Sequence, residues 1–295
     1  NLPIRPNGMV LKKTAIRGVE SNGMMCSTRE LELGDDHDGI IELPADAPVG
    51  KSFADYAQMD DPIIDVAITP NRQDCMGVRG IARDLAAAGL GTLKPLSVPS
   101  VAGSFPCPTE IRTDDPEGCP AFFGRAIRGV KNGASPQWLQ DRLLSAGQRP
   151  ISALVDITNY LLHETGQPLH AFDAAKIRGS KIIVKKIDAG TSFTTLDDKV
   201  RTLHEEDLMI CDAEGGLCLA GVFGGKDSGV SEQTTNLFLE SACFGGIGIR
   251  KTSFRHGLRT DAALRFEKGT DPGLCERVLL RAVQLIQEIA GGEVV

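Results

Sequence analysis

The stretch that decides the fold is DPGLCERVLLRAVQLIQEIAGG, residues 271–292. Asp271-Pro272 opens a helix, because Pro at the first helical position lacks only an N–H that would have no partner there anyway. Leu274, Val278, Leu279, Ala282, Leu285, Ile286 and Ile289 then recur at helical spacing, and Gly291-Gly292 stops the run. Upstream, the pattern changes to short apolar runs: Lys181-Ile182-Ile183-Val184 and Leu208-Met209-Ile210 read as strands. Ser135-Pro136 reads as a second helix start, with Ser as N-cap, followed by Trp138, Leu139, Leu143 and Leu144 and closed by Gly147. From about residue 105 onward the chain therefore mixes helices and strands in one α+β unit.

Further upstream, the Pro-, Ser- and Val-rich segment from Leu93 to Pro108 reads as a linker. Before it, Ile63-Ile64-Asp65-Val66-Ala67-Ile68 is an extended apolar run closed by Thr69-Pro70-Asn71. A helix capped at Asp74 is expected next, with Met76, Ile81 and Leu85 near one face and Gly89 as its end. Pro44 to Gly50 reads as another linker. The residues before it look like short strands and turns: Met9 to Ile16 extended, with turn clusters at Ser21-Asn22-Gly23 and Gly34-Asp35-Asp36.

Composition sets limits on function. A chain of 295 residues has room for two or three domains with real cores. Hydrophobic content of 41% with 24% charged residues is ordinary for a globular protein. No run approaches the roughly 18 apolar residues of a membrane span. The first residues, Asn1-Leu2-Pro3-Ile4-Arg5-Pro6, carry neither a signal core nor an initiator Met, so the expectation is a start inside a longer protein. The eight cysteines form no Cys-x-x-Cys pair and none has a His at zinc spacing, which points to reduced thiols packed as small hydrophobes rather than a metal site. The net charge of −7 has the wrong sign for general phosphate binding. A local basic stretch remains: Arg250, Lys251, Arg255, Arg259, Arg265 and Lys268 stand against Asp261 and Glu267, as either a solvated face or a phosphate-contacting rim.

Familiar catalytic signatures fail. His163-Glu164 begins like a zincin helix, but Gln167 holds the place of the second His and Pro168 would break the helix. Gly225-Lys226 is followed by Asp227, not the Ser or Thr of a Walker loop. Gly224-Gly225-Lys226-Asp227-Ser228 approaches a pyrophosphate loop, but Phe223 stands where its leading Ser belongs. A glycine turn that lets backbone approach a ligand fits better.

Three stretches are denser in chemistry. They are VDITNY (155–160) with GQPLHAFD (166–173), LESA (239–242), and RHGLRTDA (255–262). Singly each has a bland reading: His170 as a core histidine, Asn159 as a cap, Glu240 as a strand-end charge paired with a nearby Arg, and Thr260-Asp261 as a cap before a helix.

Together, and with ESNGMMCSTRELEL, DVAITPNRQDCMGVRGIARDLAA, SPQWLQDRLLSAGQRPISALVDITNYLLHETGQPLHAFDAAKI, LAGVFGGKDSGV and RHGLRTDAALRFEKGTDP, they resemble the bacterial phenylalanine–tRNA ligase β-subunit family over nearly the whole chain. The resemblance implies three parts: 1–52 as a partial tRNA-binding OB-type β-barrel, 53–104 as a small α/β domain segment with linker, and 105–295 as a large α+β editing domain. It implies a cytoplasmic enzyme of two α and two β subunits. ATP and Mg2+ serve aminoacyl-adenylate synthesis on the α subunit, tRNA(Phe) is the partner, and this part of the chain needs no cofactor of its own.

An editing site has a physical reason. Phenylalanine and tyrosine differ by one hydroxyl, and an apolar pocket rejects an added hydroxyl only ~10²-fold, whereas a site built to bond that hydroxyl discriminates by ~10⁴–10⁵. In the family, the glutamate matching Glu240 is the hydroxyl acceptor. The resemblance further assigns His170 to orienting or weakly activating water, Asn159 and Thr260 to holding the ester or terminal ribose, Gly224 to close backbone approach, and Ala262 to limiting pocket size. Ala263 departs from the Ser common beside Ala262.

Overall fold

A computed structural model describes residues 3–4, 9–57, 59, 62–98 and 100–294. The chain divides into two units, Asn1–Pro62 and Ile63–Val295. In the first, β1 (Pro3–Ile4) pairs with β2 (Met9–Val10), and β3 (Thr14–Ile16) pairs with β4 (Val19–Ser21), each antiparallel. The run expected to be extended from Met9 to Ile16 is thus interrupted after Val10. A reversal at Arg17 and Gly18, both at positive φ, closes β3 onto β4. The next tight turn covers residues 28–32, with Leu33 N donating to Thr28 O at 2.8 Å, rather than the Gly34 cluster. A single turn of helix, α1 (Phe53–Tyr56), completes this unit.

The second unit opens with residues 63–68, which lie in no strand; Ile63 and Ile64 are 74% and 79% exposed. The helix expected from Asp74 begins four residues later. Asp74 lies in a 3-10 turn (Gln73–Cys75), where Arg72 and Arg83 take its carboxylate, so it caps nothing. Helix α2 (Val78–Ala87) starts instead from Gly77. A Cβ on Gly77 would come within 2.6 Å of the Thr165 carbonyl carbon, so glycine there permits backbone-to-backbone packing on a neighbouring helix end.

Beyond the linker come β5 (Glu110–Thr113), β6 (Ala121–Arg128), α3 (Gln137–Ser145), α4 (Ala153–Thr165), β7 (Leu169–Asp173) and β8 (Lys181–Lys186). Ser135 does not cap α3. Pro136 holds the cap position, and the Ser135 hydroxyl donates to buried Asp156 at 2.6 Å. Leu139 and Leu143 are buried as expected, whereas Trp138 and Leu144 are exposed. There follow β9 (Ser192–Thr194), β10 (Val200–Thr202), β11 (Leu208–Cys211), β12 (Gly216–Leu219), β13 (Phe223–Gly224) and β14 (Asn236–Cys243). The last elements are α5 (Gly246–His256), α6 (Asp261–Lys268), α7 (Pro272–Ile289) and β15 (Glu293–Val294).

Two larger sheets organise this unit. One has the order β13-β12-β11-β8-β5, antiparallel except for the parallel β5–β8 pair; the other, β15-β6-β14-β7, is antiparallel throughout. Strand β14 is buried on both faces, so its alternation sorts residues between two cores. Leu237 and Leu239 join Leu139, Leu154, Ile157, Val278 and Ile286 under α3, α4 and α7. Phe238 and Ala242 join Phe172, Ile182, Met209 and Phe266 on the opposite side. Glu240 falls on that second face, a carboxylate in the middle of an apolar row.

Candidate active site

The register of β7 against β14 pairs His170 with Glu240. Residues directly opposite in an antiparallel pair point to the same face, so imidazole and carboxyl share one wall. On the other flank, Glu240 is opposite Gly124 of β6, which has no side chain to cover it. Gly224, on the edge strand β13, closes the space: a Cβ there would stand 2.6 Å from Leu196 Cδ1 and 3.4 Å from His170 Cε1. Asn159 enters from α4, and Thr260 and Ala262 from the start of α6. Asn159, His170, Gly224, Glu240, Thr260 and Ala262, spread over about a hundred residues, line one cavity of about 280 Å³.

Glu240 is 4% exposed, and its Oε2 is shielded without a hydrogen-bond partner among the described residues. Among the described residues it forms no ion pair, so the bland pairing with a nearby Arg does not occur. Burial pushes its pKa up to about 8, which leaves it mostly protonated at neutral pH. The His170 ring packs edge-on against Phe172, with centroids 4.4 Å apart, and its Nε2 also lacks a partner among the described residues. Burial pushes its pKa down to about 4, so it is a neutral imidazole.

Asn159 lies inside α4 rather than at its end, so it caps nothing, and its amide bonds to none of the described residues. Thr260 is a true N-cap: its hydroxyl accepts from Ala263 N at 3.1 Å and donates to Val222 O at 2.8 Å. With its only proton committed, Thr260 can accept one more hydrogen bond but cannot donate one.

Sequence reasoning missed several lining residues. Leu196 sits between β9 and β10, 51% exposed, with its N–H on Gly224 O at 3.1 Å. Cys218, a buried thiol of β12, and Gln148, from the turn after α3, also face the cavity. No local pattern marks them; tertiary packing brings them there.

The basic stretch is mostly paired internally, so much of its charge is already balanced by neighbouring carboxylates. Lys251 bonds Glu206 at 2.9 Å, and Arg255 bonds both Glu206 and buried Asp207. His256 Nε2 lies 2.7 Å from the same Asp207. Arg259 pairs with Glu267 at 3.0 Å, Arg265 with Asp261 at 3.2 Å, and Lys268 donates to Ile68 O at 3.4 Å. Arg250 lies over the Phe254 ring at 5.7 Å.

All eight cysteines are free and six are buried. Asp74, Cys75 and Asp84 bring ligand atoms within 4.8 Å of one another, but Arg72 Nη2 already occupies that cluster, 2.5 Å from Asp84 and 2.8 Å from Cys75 Sγ. A guanidinium in that place fits an ion-pair knot, not a cation site.

The B3/4 domain model matches residues 118–291, the part of the chain that holds every wall of this cavity. The chain belongs to the B3/4 domain family. A second model, described as a putative tRNA binding domain, matches residues 8–52. The resemblance read from the sequence also holds against curated relatives. The phenylalanine–tRNA ligase β subunit of Novosphingobium aromaticivorans is 59% identical over 287 residues, covering 97% of this chain and 36% of that protein. The β subunit of Cereibacter sphaeroides is 52% identical over 289 residues, with the same coverage. The chain therefore spans little more than a third of the length of these relatives. A solved N-terminal fragment of the Pyrococcus horikoshii phenylalanyl-tRNA synthetase β-subunit aligns at 17% identity and TM-score 0.42, over 77% of this chain and 61% of that one. That likeness is too loose to build on.

Proposed function

We propose that the cavity is the proofreading site of a phenylalanine–tRNA ligase β subunit, hydrolysing tyrosyl-tRNA(Phe). The observation that carries this reading is Glu240: a buried carboxyl with no partner among the described residues for its Oε2, in the wall of a cavity lined by all six residues carried over from the family. A buried polar group without a partner is costly, so it is expected where a ligand supplies the partner. A phenol hydroxyl does so; the bare ring of phenylalanine does not.

The remaining walls suit ester hydrolysis by a positioned water. An aminoacyl ester is already activated, so orientation supplies much of what the reaction needs. With its pKa at about 4, His170 is a poor proton acceptor, and its role is to hold the water by hydrogen bonding. Asn159 has a free amide that can donate to the ester carbonyl. Thr260, able only to accept, suits a ribose hydroxyl. Gly224 and Ala262 keep the space open.

In this reading residues 1–52 are part of a tRNA-binding OB-type barrel, 53–104 a small connecting domain segment and 105–295 the editing domain. The whole enzyme is a cytoplasmic assembly of two α and two β subunits that charges tRNA(Phe) with ATP and Mg2+ on the α chain. A second reading, a tRNA-docking module without catalysis, draws on the tRNA-binding match at residues 8–52. Release of tyrosine from tyrosyl-tRNA(Phe), measured against phenylalanyl-tRNA(Phe), separates the two. The editing reading requires faster release of tyrosine; binding without release supports docking alone.

A further inference from the structure

The cavity has a second carboxylate that the reading above leaves unused. Asp261 follows the Thr260 cap as the first residue of α6, and its side chain is 54% exposed, whereas Glu240 is buried. Both line the same cavity. Asp261 Oδ1 lies 3.2 Å from Arg265 Nη1, the i,i+4 pair of the helix. Its Oδ2 receives only a long contact, 3.4 Å, from Gln148 Nε2. A carboxylate offers about four acceptor positions, so Asp261 keeps capacity to spare. The other lining groups around the two carboxylates include Leu162, Leu169, Val222 and Phe266.

A buried carboxyl and an exposed one in a lining that also holds apolar side chains suit a ligand that carries a hydroxyl, an apolar body and a cation. The two acidic groups are not interchangeable. Glu240 is desolvated and mostly uncharged, so an ammonium placed there would lose its hydration for little return. Asp261 is hydrated, and an ammonium can join it while staying partly in water. We propose that Asp261 is a specificity-determining carboxylate that receives the α-ammonium group of the amino-acid ester, so that the cavity takes esters of free amino acids in preference to those whose amino group is acylated. This inference rests on the editing reading for its substrate, but its test does not depend on hydrolysis. The helix pair with Arg265 accounts for one oxygen of Asp261, and a purely structural role would make no distinction between amino and deaminated ligands.

The probes are tyrosinol and its deaminated counterpart, 3-(4-hydroxyphenyl)propan-1-ol, titrated into the full chain by calorimetry. Tyrosinol should bind more tightly. Asp261→Asn should weaken tyrosinol on the order of fivefold, the scale of one exposed ion pair, and leave the deaminated alcohol unchanged. Asp261→Glu, which keeps the charge, should keep the preference. Equal affinity of the unmodified chain for both probes, equal weakening of both by Asp261→Asn, or no binding of either at millimolar concentration overturns the proposal. Tyrosyl-tRNA(Phe) and N-acetyl-tyrosyl-tRNA(Phe) are then compared for hydrolysis. Amine preference without hydrolysis sinks the editing reading and leaves this inference standing. Equal hydrolysis of both substrates does the reverse.

Discussion

At the scale of single residues, the unusual feature is a carboxyl and an imidazole side by side, both pushed toward neutrality by the same burial. Their protonation has opposite consequences for stability. Glu240 holds its proton up to about 8 when folded against 4.5 ordinarily, so across that span the native state carries the extra proton and stability falls as pH rises. His170 titrates near 4 when folded against 6.5 ordinarily, so across its span the unfolded state carries the extra proton and stability rises with pH. The two slopes oppose each other where the windows overlap, and Glu240 acts alone above the histidine window. Glu240→Gln removes one slope. The stability of the variant minus that of the parent should therefore grow as pH climbs from 4.5 to 8, by ~2–5 kcal/mol, read from urea midpoints. A difference that stays flat over that range would refute an unpaired buried carboxyl. In catalysis, Glu240→Ala removes a desolvated hydrogen bond to the tyrosine hydroxyl, worth roughly 0.5–3 kcal/mol according to its charge, so tyrosyl-tRNA(Phe) hydrolysis should slow by about two- to a hundredfold. Rates on tyrosyl- and phenylalanyl-tRNA(Phe) should converge. Equal slowing of both, with their ratio kept, would assign Glu240 to structure or to the chemical step.

At the scale of elements, what the sequence disclosed depended on how local the determining forces are. Helix α7 was legible almost to the residue because its cap, Asp271 accepting from Gly273 N at 2.9 Å, and its apolar stripe lie within the helix itself. The start of α2 was not, because the Asp74 side chain that looks like a cap is claimed by Arg72 and Arg83, a competition no propensity reveals. The pairing of the basic stretch of α5 and α6 was hidden for the same reason: Glu206 and Asp207, which balance part of it, lie more than forty residues upstream. The cavity was legible only through family resemblance, since β14 brings His170 and Glu240 together across a register that local pattern cannot supply. The junction of α2 with the end of α4 also depends on distant partners, and it can be tested. A Cβ at Gly77 would meet the backbone of Thr165 and Gly166, which cannot swing aside as a side chain can. Gly77→Ala should therefore cost ~1–3 kcal/mol in chemical denaturation. Gly91→Ala, where a Cβ meets nothing within 4 Å, serves as control and should stay within about 0.5 kcal/mol. Equal effects of the two would mean that α2 is not seated against α4.

At the scale of the whole molecule, the two units are built to different standards of cohesion. In the Ile63–Val295 unit, α7 contributes seven buried residues, Cys275, Val278, Leu279, Ala282, Val283, Leu285 and Ile286, to a helix of 18. Opening it exposes that whole face at once, so its central amides should exchange only when much of the unit unfolds. In the Asn1–Pro62 unit, the hairpin β3–β4 has three residues per strand and not one of them is buried. Large apolar side chains there stay in water, with Val19 at 70% and Met25 at 75% exposure. A two-stranded hairpin with no packed face is marginally stable at best, because backbone ordering costs ~1–2 kcal/mol per residue and little burial offsets it. Amide exchange followed by mass spectrometry should accordingly find peptides covering residues 14–21 exchanging at least ~10³-fold faster than those covering 278–286, a gap of about 4 kcal/mol in opening free energy. A urea titration of the same sample should lose the hairpin signal first, in a separate transition. Protection in the hairpin equal to that of α7, or one shared transition, would mean that the first unit draws its stability from the same cooperative core as the site.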